Sequence, residues 1–219
     1  MSEFIVYSIP GSPYGRAVLA TLEEKGASYR LAPVAPGAFR SEPHISRHPF
    51  GKVPVLEHDG FMLYETQAIL RYLDRILPQP PLTPADPRVA ARMDQLLNVN
   101  DCYLFREVAT VITFQRVVGP RVLGMTPDED AIAAVMPRAH LVFDELARFL
   151  GDQAFFTGAD LSLADLLLAC DIDFFTGIPE WEPLMGPHPN LCAWLKRMNA
   201  RSSLQATTWT AVAEMAKAA

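Results

Sequence analysis

Phe50-Gly51-Lys52-Val53-Pro54-Val55-Leu56-Glu57-His58-Asp59-Gly60-Phe61-Met62-Leu63-Tyr64-Glu65-Thr66-Gln67-Ala68-Ile69 is the stretch that decides the fold. Asp-Gly between apolar residues is a strong short-range hairpin signal, so two strands meet at Asp59-Gly60. Thr66 then opens a helix with Ile69, Leu70, Leu73, Ile76 and Leu77 on its apolar face. Pro54 has no N–H to give a sheet ladder, so Val53-Pro54 belongs at a strand start or a sheet edge. If that bond is cis, the backbone groups of Val53 turn outward, where an extended peptide can pair with them. The helix start offers the other half of a site. Its N–H groups and the Thr66 hydroxyl suit a carboxylate, and Glu65 suits an ammonium. A peptide edge beside such a clamp fits a small peptide carrying a free α-amino acid.

Upstream, Phe4 to Ser8 reads as a short apolar strand broken by Pro10-Gly11-Ser12-Pro13. A helix follows with Val18, Leu19 and Leu22 on its apolar face, ending at a basic Lys25 and a glycine, Gly26. Ser28 to Val34 reads as a second strand, and Pro33, Pro36 and Gly37 make the next connection irregular. Strand-helix-strand followed by hairpin and helix is a thioredoxin-like α/β order. The proline run Pro78-Gln79-Pro80-Pro81-Leu82-Thr83-Pro84 then reads as a linker. Beyond it every signal is helical. Asp86 to Val118 is a long amphipathic segment stopped by Gly119-Pro120. Thr126-Pro127-Asp128-Glu129 and Ser162-Leu163-Ala164-Asp165 are capping boxes that open further helices. The expected organisation is a thioredoxin-like domain over 1–78, a linker over 79–85 and an all-helical domain over 86–219.

Composition narrows the partners. The chain of 219 residues is half hydrophobic and one-fifth charged, ordinary for a globular protein with ample core. A net charge of -6 without a basic stripe argues against nucleic acid. No apolar run is long enough to span a membrane, and Met1 to Tyr7 has no signal-peptide pattern. Cys102, Cys170 and Cys192 form no C-x-x-C pair, which fits reduced thiols and a cytoplasmic location.

Ser12-Pro13-Tyr14-Gly15 occupies the first-helix start, where thioredoxin-like redox proteins carry C-x-x-C. Without either cysteine, dithiol exchange is not expected. A serine hydroxyl at a helix N-terminus instead suits holding a thiolate that belongs to a ligand. Lowering a thiol pKa from ~8.5 by about two units takes roughly 2.7 kcal/mol. A charge-assisted hydrogen bond and the helix field are of that size. Tyr7 and Tyr14 compete for the role, and Ser12 also reads simply as an N-cap. His44-x-x-x-His48 has the spacing of two metal ligands on a helix, but no third ligand accompanies it, so no metal is expected.

At Ser46-Arg47-His48-Pro49-Phe50-Gly51-Lys52-Val53-Pro54, Glu65-Thr66 and Ser12 to Val18, the chain resembles the cytosolic glutathione transferases, closest in wording to the serine-type phi and theta classes. The resemblance implies a glutathione-binding thioredoxin-like domain followed by an all-helical domain. It implies Ser12 as the catalytic residue that activates the glutathione thiol. Val53 with Pro54 matches the family's cysteinyl backbone position, Glu65 the position for the γ-glutamyl ammonium, and Thr66 replaces the usual serine. Lys52 stands where phi enzymes have glutamine, and Phe39-Arg40 where they often place His-Lys, leaving Arg40 and Lys52 for the glycyl carboxylate. Tyr14, Tyr103, Arg106 and Thr110 are the residues implied for a hydrophobic electrophile. Also implied are glutathione as co-substrate, no metal, a homodimer and a cytoplasmic, detoxifying role. The expected reaction is conjugation of glutathione to a hydrophobic electrophile. The alternatives are peroxide reduction, dehalogenation or isomerisation, or a non-catalytic binding or regulatory protein of the same fold.

Overall fold

In the computed structural model, residues 3–35 and 37–219 are described; Met1, Ser2 and Pro36, on which parts of the sequence reading fall, lie outside them. The four strands are β1 Phe4–Ser8, β2 Tyr29–Pro33, β3 Val55–His58 and β4 Phe61–Tyr64, in the order β2-β1-β3-β4. β1 and β2 run parallel, as the intervening helix requires, and β1, β3 and β4 run antiparallel. The hairpin turns where expected. Asp59 at φ 49° and Gly60 at φ 84° are both left-handed, the requirement of a tight two-residue type I′ turn.

Helix α1 spans Pro13–Glu24, α2 His44–Arg47 and α3 Thr66–Ile76. α1 ends in a Schellman closure: Ala27 N–H bonds the Leu22 carbonyl and Gly26 N–H the Glu23 carbonyl, both at 3.0 Å. Lys25, read as a basic end to this helix, has a different employment. Its Nζ is buried 2.5 Å from Asp74 Oδ1 and also donates to the Pro80 carbonyl. On α3, Ile69, Leu70 and Leu73 are fully buried, whereas Ile76, expected on the same face, is 37 % exposed.

The helical remainder comprises α4 Pro87–Val99, α5 Thr110–Thr113, α6 Glu129–Leu150, α7 Leu163–Ile172, α8 Trp181–Met185, α9 Pro189–Asn199, α10 Ser202–Ala206 and α11 Trp209–Ala218. Asp86 caps α4 by accepting from Arg88 and Val89 N–H at 2.8 and 3.0 Å. After Val99 the winding continues in wider π-helical turns over Asn100–Ala109 and Phe114–Leu123. It therefore passes the expected stop at Gly119-Pro120 and ends at Gly124, φ 65°, whose N–H closes onto the Pro120 carbonyl. α6 begins at Glu129 rather than after Thr126, because Asp128 is the residue that accepts the Ala131 N–H. α7 is buried all round and forms the centre of the helical core. The box at its start is built as read. Asp165 accepts from Ser162 N–H, Ser162 Oγ, Phe156 N–H and Trp194 Nε1.

Packing divides the chain into two compact units, Pro84–Met198 and a unit that joins the residues through Thr83 to Asn199–Ala219. This differs from the expected helical domain over 86–219. The tail belongs to the first unit because Arg201 and Ser203 bond Glu24, and Arg16 bonds the Leu204 carbonyl. The proline run is no free tether on that side. Leu82 is 2 % exposed, and its N–H bonds Asp74 Oδ1 at 2.9 Å.

Candidate active site

Three chain segments meet at one end of the sheet, and strand register makes them meet. Tyr7 pairs with Val55, and Val55 with Tyr64. Ser8-to-Ser12 leaves the sheet just beyond Tyr7, Val53-Pro54 enters just before Val55, and Glu65-Thr66 follows Tyr64. Neighbouring strands lie ~4.8 Å apart, so the three departures fall within about 10 Å along the sheet. The Val53-Pro54 bond is cis.

Ser12 is the N-cap of α1, and its Oγ accepts the Gly15 N–H at 3.0 Å. That bond uses a lone pair and leaves the hydroxyl proton to be donated elsewhere. Capping and thiolate binding are therefore compatible in one residue. Pro13 at the first helical position has no N–H to satisfy. Gly15 lets α1 press against β1: a Cβ there would lie 1.9 Å from Ser8 Oγ. Tyr14, half-buried, stands in the same first turn as Gly15.

Glu65 caps α3 with its backbone at φ 72°, a left-handed conformation that costs a non-glycine residue about 1–2 kcal/mol. Its side chain makes no capping bond and is exposed. Thr66 begins α3, 7 % exposed.

The 39–53 segment supplies the cations. Arg40 and Lys52 are exposed, and Val53 is half-buried beside them in sequence. Gly51, φ 61°, brings the two cations together, since a Cβ on it would lie 2.9 Å from Arg40 Cγ and from the Phe39 carbonyl oxygen. His44 holds this turn. Its ring, 2 % exposed, approaches the Lys52 carbonyl through Nε2 at 2.8 Å, which requires the Nε2–H form. Phe39 packs edge-on to the His44 ring at 6.2 Å. His48 stacks near Tyr64 at 4.7 Å, and burial lowers its pKa, although the Glu65 charge opposes this. Reading the two histidines by spacing alone missed this positioning role; the Gly51 turn that follows them was the available signal. Among the described residues no cluster of three His, Cys, Asp or Glu side chains is arranged to hold a metal.

Tyr103, Arg106 and Thr110 belong to the second unit and are exposed there, with Thr110 Oγ1 donating to the Arg106 carbonyl at 2.7 Å. Trp209, in the tail, packs on Gly11 within the first unit.

Comparison with known proteins agrees with the fold. The family described as glutathione S-transferase, N-terminal domain, matches residues 2–75, and glutathione S-transferase, C-terminal domain, matches residues 105–202. A glutathione S-transferase of Hyoscyamus muticus is 32 % identical over 194 residues, covering 87 % of this chain and 90 % of the relative. Glutathione S-transferase F14 of Arabidopsis thaliana is 30 % identical over 192 residues, covering 84 % and 75 %. The crystal structure of glutathione transferase F7 from Populus trichocarpa superposes with a TM-score of 0.84 at 25 % identity, covering 97 % of this chain and 99 % of that one. With both family halves matched in order, the chain belongs to the glutathione S-transferase family.

Proposed function

We propose that this transferase binds glutathione at the sheet end described above, with Ser12 ionising the thiol. The observation that carries this reading is the register Tyr7–Val55–Tyr64, which gathers Ser12, Val53 and Glu65-Thr66 at one edge. Val53 pairs with the cysteinyl backbone, Glu65 receives the γ-glutamyl ammonium, and Thr66 with the first turn of α3 receives its carboxylate. Arg40 and Lys52 hold the glycyl carboxylate. The Ser12 O–H donates to the sulfur while Gly15 N–H bonds its oxygen, which polarises the hydroxyl toward donation.

The thiolate then attacks an electrophilic carbon of a hydrophobic substrate. A C–S bond forms, and either a leaving group departs with its electron pair or an activated alkene gains a proton. Tyr14, in the first turn of α1, is the electrophile-site candidate of the first unit. The protein acts in the cytoplasm as a homodimer; Phe50, 65 % exposed and held edge-on by His48 and Tyr64, is a candidate interface residue. Among the described residues no helix is long and apolar enough to cross a membrane.

The test is an ultraviolet titration of bound glutathione in wild type and Ser12→Ala. Wild type should ionise the thiol about two units below its free value, and Ser12→Ala should lose most of that shift and about 100-fold in kcat/KM, while still binding glutathione. An unchanged thiol pKa in the variant would sink the assignment of Ser12.

A further inference from the structure

The C-terminal segment runs along α1 from its last turn to its first. Arg201 Nε and Nη2 grip the two Glu24 oxygens at 2.7 and 2.8 Å, and Ser203 Oγ donates to the same carboxylate at 2.5 Å. Midway, the buried Arg16 donates through Nη2 to the Leu204 carbonyl at 3.2 Å. At the far end Trp209 meets Gly11, where an added Cβ would lie 2.7–2.8 Å from Cζ2, Cε2 and Cη2 of the indole. Residues 201, 204 and 209 thus lie against 24, 16 and 11 in order, a strap antiparallel to the helix. Thr208 Oγ1 caps α11 through the Ala211 N–H at 3.2 Å, and Val212 is buried, so Trp209 projects from an anchored helix start.

Gly11 is the residue before Ser12, and it sits at φ 81°. Glycine at such a turn can move to other backbone conformations at little cost. Around it, Ser12 N–H reaches the Ile9 carbonyl at 3.3 Å, a long bond that holds the turn weakly. Gly15 N–H and Arg16 N–H hold the Ser12 oxygens from the helix side at 3.0 and 2.8 Å, and the flat indole face against Gly11 restrains the residue before it.

Resting on the reading of Ser12 as the thiol's hydrogen-bond donor, we infer that Trp209 is a positioning residue for Ser12. Its ring holds the Gly11-Ser12 turn so that the serine hydroxyl keeps one direction toward the sulfur. Removing the ring releases the turn and spreads the donor over several directions. Glutathione binding is spared, because Val53 and Glu65 come from the start of β3 and the end of β4 rather than from the Gly11-Ser12 turn.

The experiment uses the full-length protein, wild type, Trp209→Ala and Trp209→Phe. It reads the pKa of bound glutathione by thiolate absorbance, the glutathione Kd, and the KM for an aryl halide. Trp209→Ala should raise the bound thiol pKa by about one unit, a tenfold loss of thiolate below that pKa, with Kd changed less than about twofold. Trp209→Phe, which keeps a flat ring, should recover most of the shift. If Trp209→Ala fails to fold, Trp209→Leu replaces it and must show the same rise. A pKa equal to wild type overturns the inference, whether the variant shows a raised aryl-halide KM, as a pocket wall would, or only a lowered Tm. Wild type that binds glutathione without ionising it would instead fell the thiol-activation reading on which the inference stands.

Discussion

The Tyr7 hydroxyl donates to Glu57 Oε2 at 2.7 Å, with the Arg47 guanidinium 4.2 Å above the ring. Burial and the carboxylate partner push the phenol above its ordinary pKa, and the Arg47 charge does not reverse this. A tyrosine that ionised a thiol would need its single proton for the sulfur, and this proton is committed. Side chains alternate along a strand, and Ser8 is the residue facing Gly15 of α1, so Tyr7 points to the other side of the sheet. Tyr7→Phe should therefore keep kcat/KM within about threefold of wild type and cost about 1 kcal/mol of stability. Steady-state conjugation and denaturant unfolding check both parts. A hundredfold loss of activity would return Tyr7 to the reaction.

Lys25 and Asp74 tie α1, α3 and the proline run together from inside. The Lys25 side chain is fully buried, and Asp74 receives both its ammonium and the Leu82 N–H. Burial alone would raise the Asp74 pKa, but the Lys25, Thr83 and Leu82 bonds outweigh it and hold the carboxyl below its usual range. The folded state thus binds the Asp74 proton less readily than the unfolded state. Its contribution is complete above the unfolded pKa, about 4, and disappears as pH falls through the lower folded value. Lys25→Met leaves a buried carboxylate without its cation and should cost about 3–5 kcal/mol at pH 7. Urea unfolding at pH 7 and pH 3 measures it: the gap between wild type and Lys25→Met should shrink at the lower pH. An equal gap at both would mean the loss is one of packing alone.

If Arg40 and Lys52, both exposed, hold the glycyl end as proposed, glutathione binding should respond to salt. Phe39 offers no hydrogen bond, and Lys52 is a point charge rather than a directed amide. Attraction between exposed charges is screened as the Debye length falls from ~14 Å to ~4 Å between 0.05 and 0.5 M salt. The KM for glutathione should rise roughly three- to fivefold over that range, with kcat nearly constant. Glutathione amidated at glycine should show a weak KM at all salt concentrations. A KM independent of salt, with the amide bound as well as the acid, would remove Arg40 and Lys52 from the site.

Local signals carried much of this. Asp59-Gly60, Gly26 and Ser162 with Asp165 announce structure through a few neighbouring residues, because turn and cap chemistry is satisfied within one turn of chain. Their elements lie where the sequence reading puts them. The candidate site was legible for a related reason: Ser12, Val53 and Glu65 each sit at an element end. What escaped was long-range. Nothing near Arg201 reveals that its partner is Glu24, so the tail's membership of the first unit was hidden. The winding past Gly119-Pro120 was equally hidden, since a glycine-proline pair ordinarily reads as a helix stop. Lys25 reads locally as a basic helix end, and its partner, Asp74, is distant in sequence.

Asp171 sets the alkaline side of stability. It is buried on α7 with Asn100 Nδ2 donating to Oδ2 at 2.6 Å, while Oδ1 and Asn100 Oδ1 have no hydrogen-bond partner among the described residues. Burial pushes its carboxyl up to about 8; the Asn100 bond opposes this and the Asp101 charge adds to it. The unfolded chain releases this proton near pH 4, so between there and about 8 the folded state holds a proton the unfolded state has lost. Stability therefore falls as pH rises across that window, by up to about 1.4 kcal/mol per unit from this group. Asp171→Asn keeps the shape and the acceptor for Asn100 and has no proton to release. Its unfolding free energy should match wild type near pH 5 and exceed it by roughly 3–4 kcal/mol at pH 8. The difference between the two proteins isolates Asp171 from every other titrating group. A difference that stays constant from pH 5 to 8 would show that Asp171 is ionised throughout.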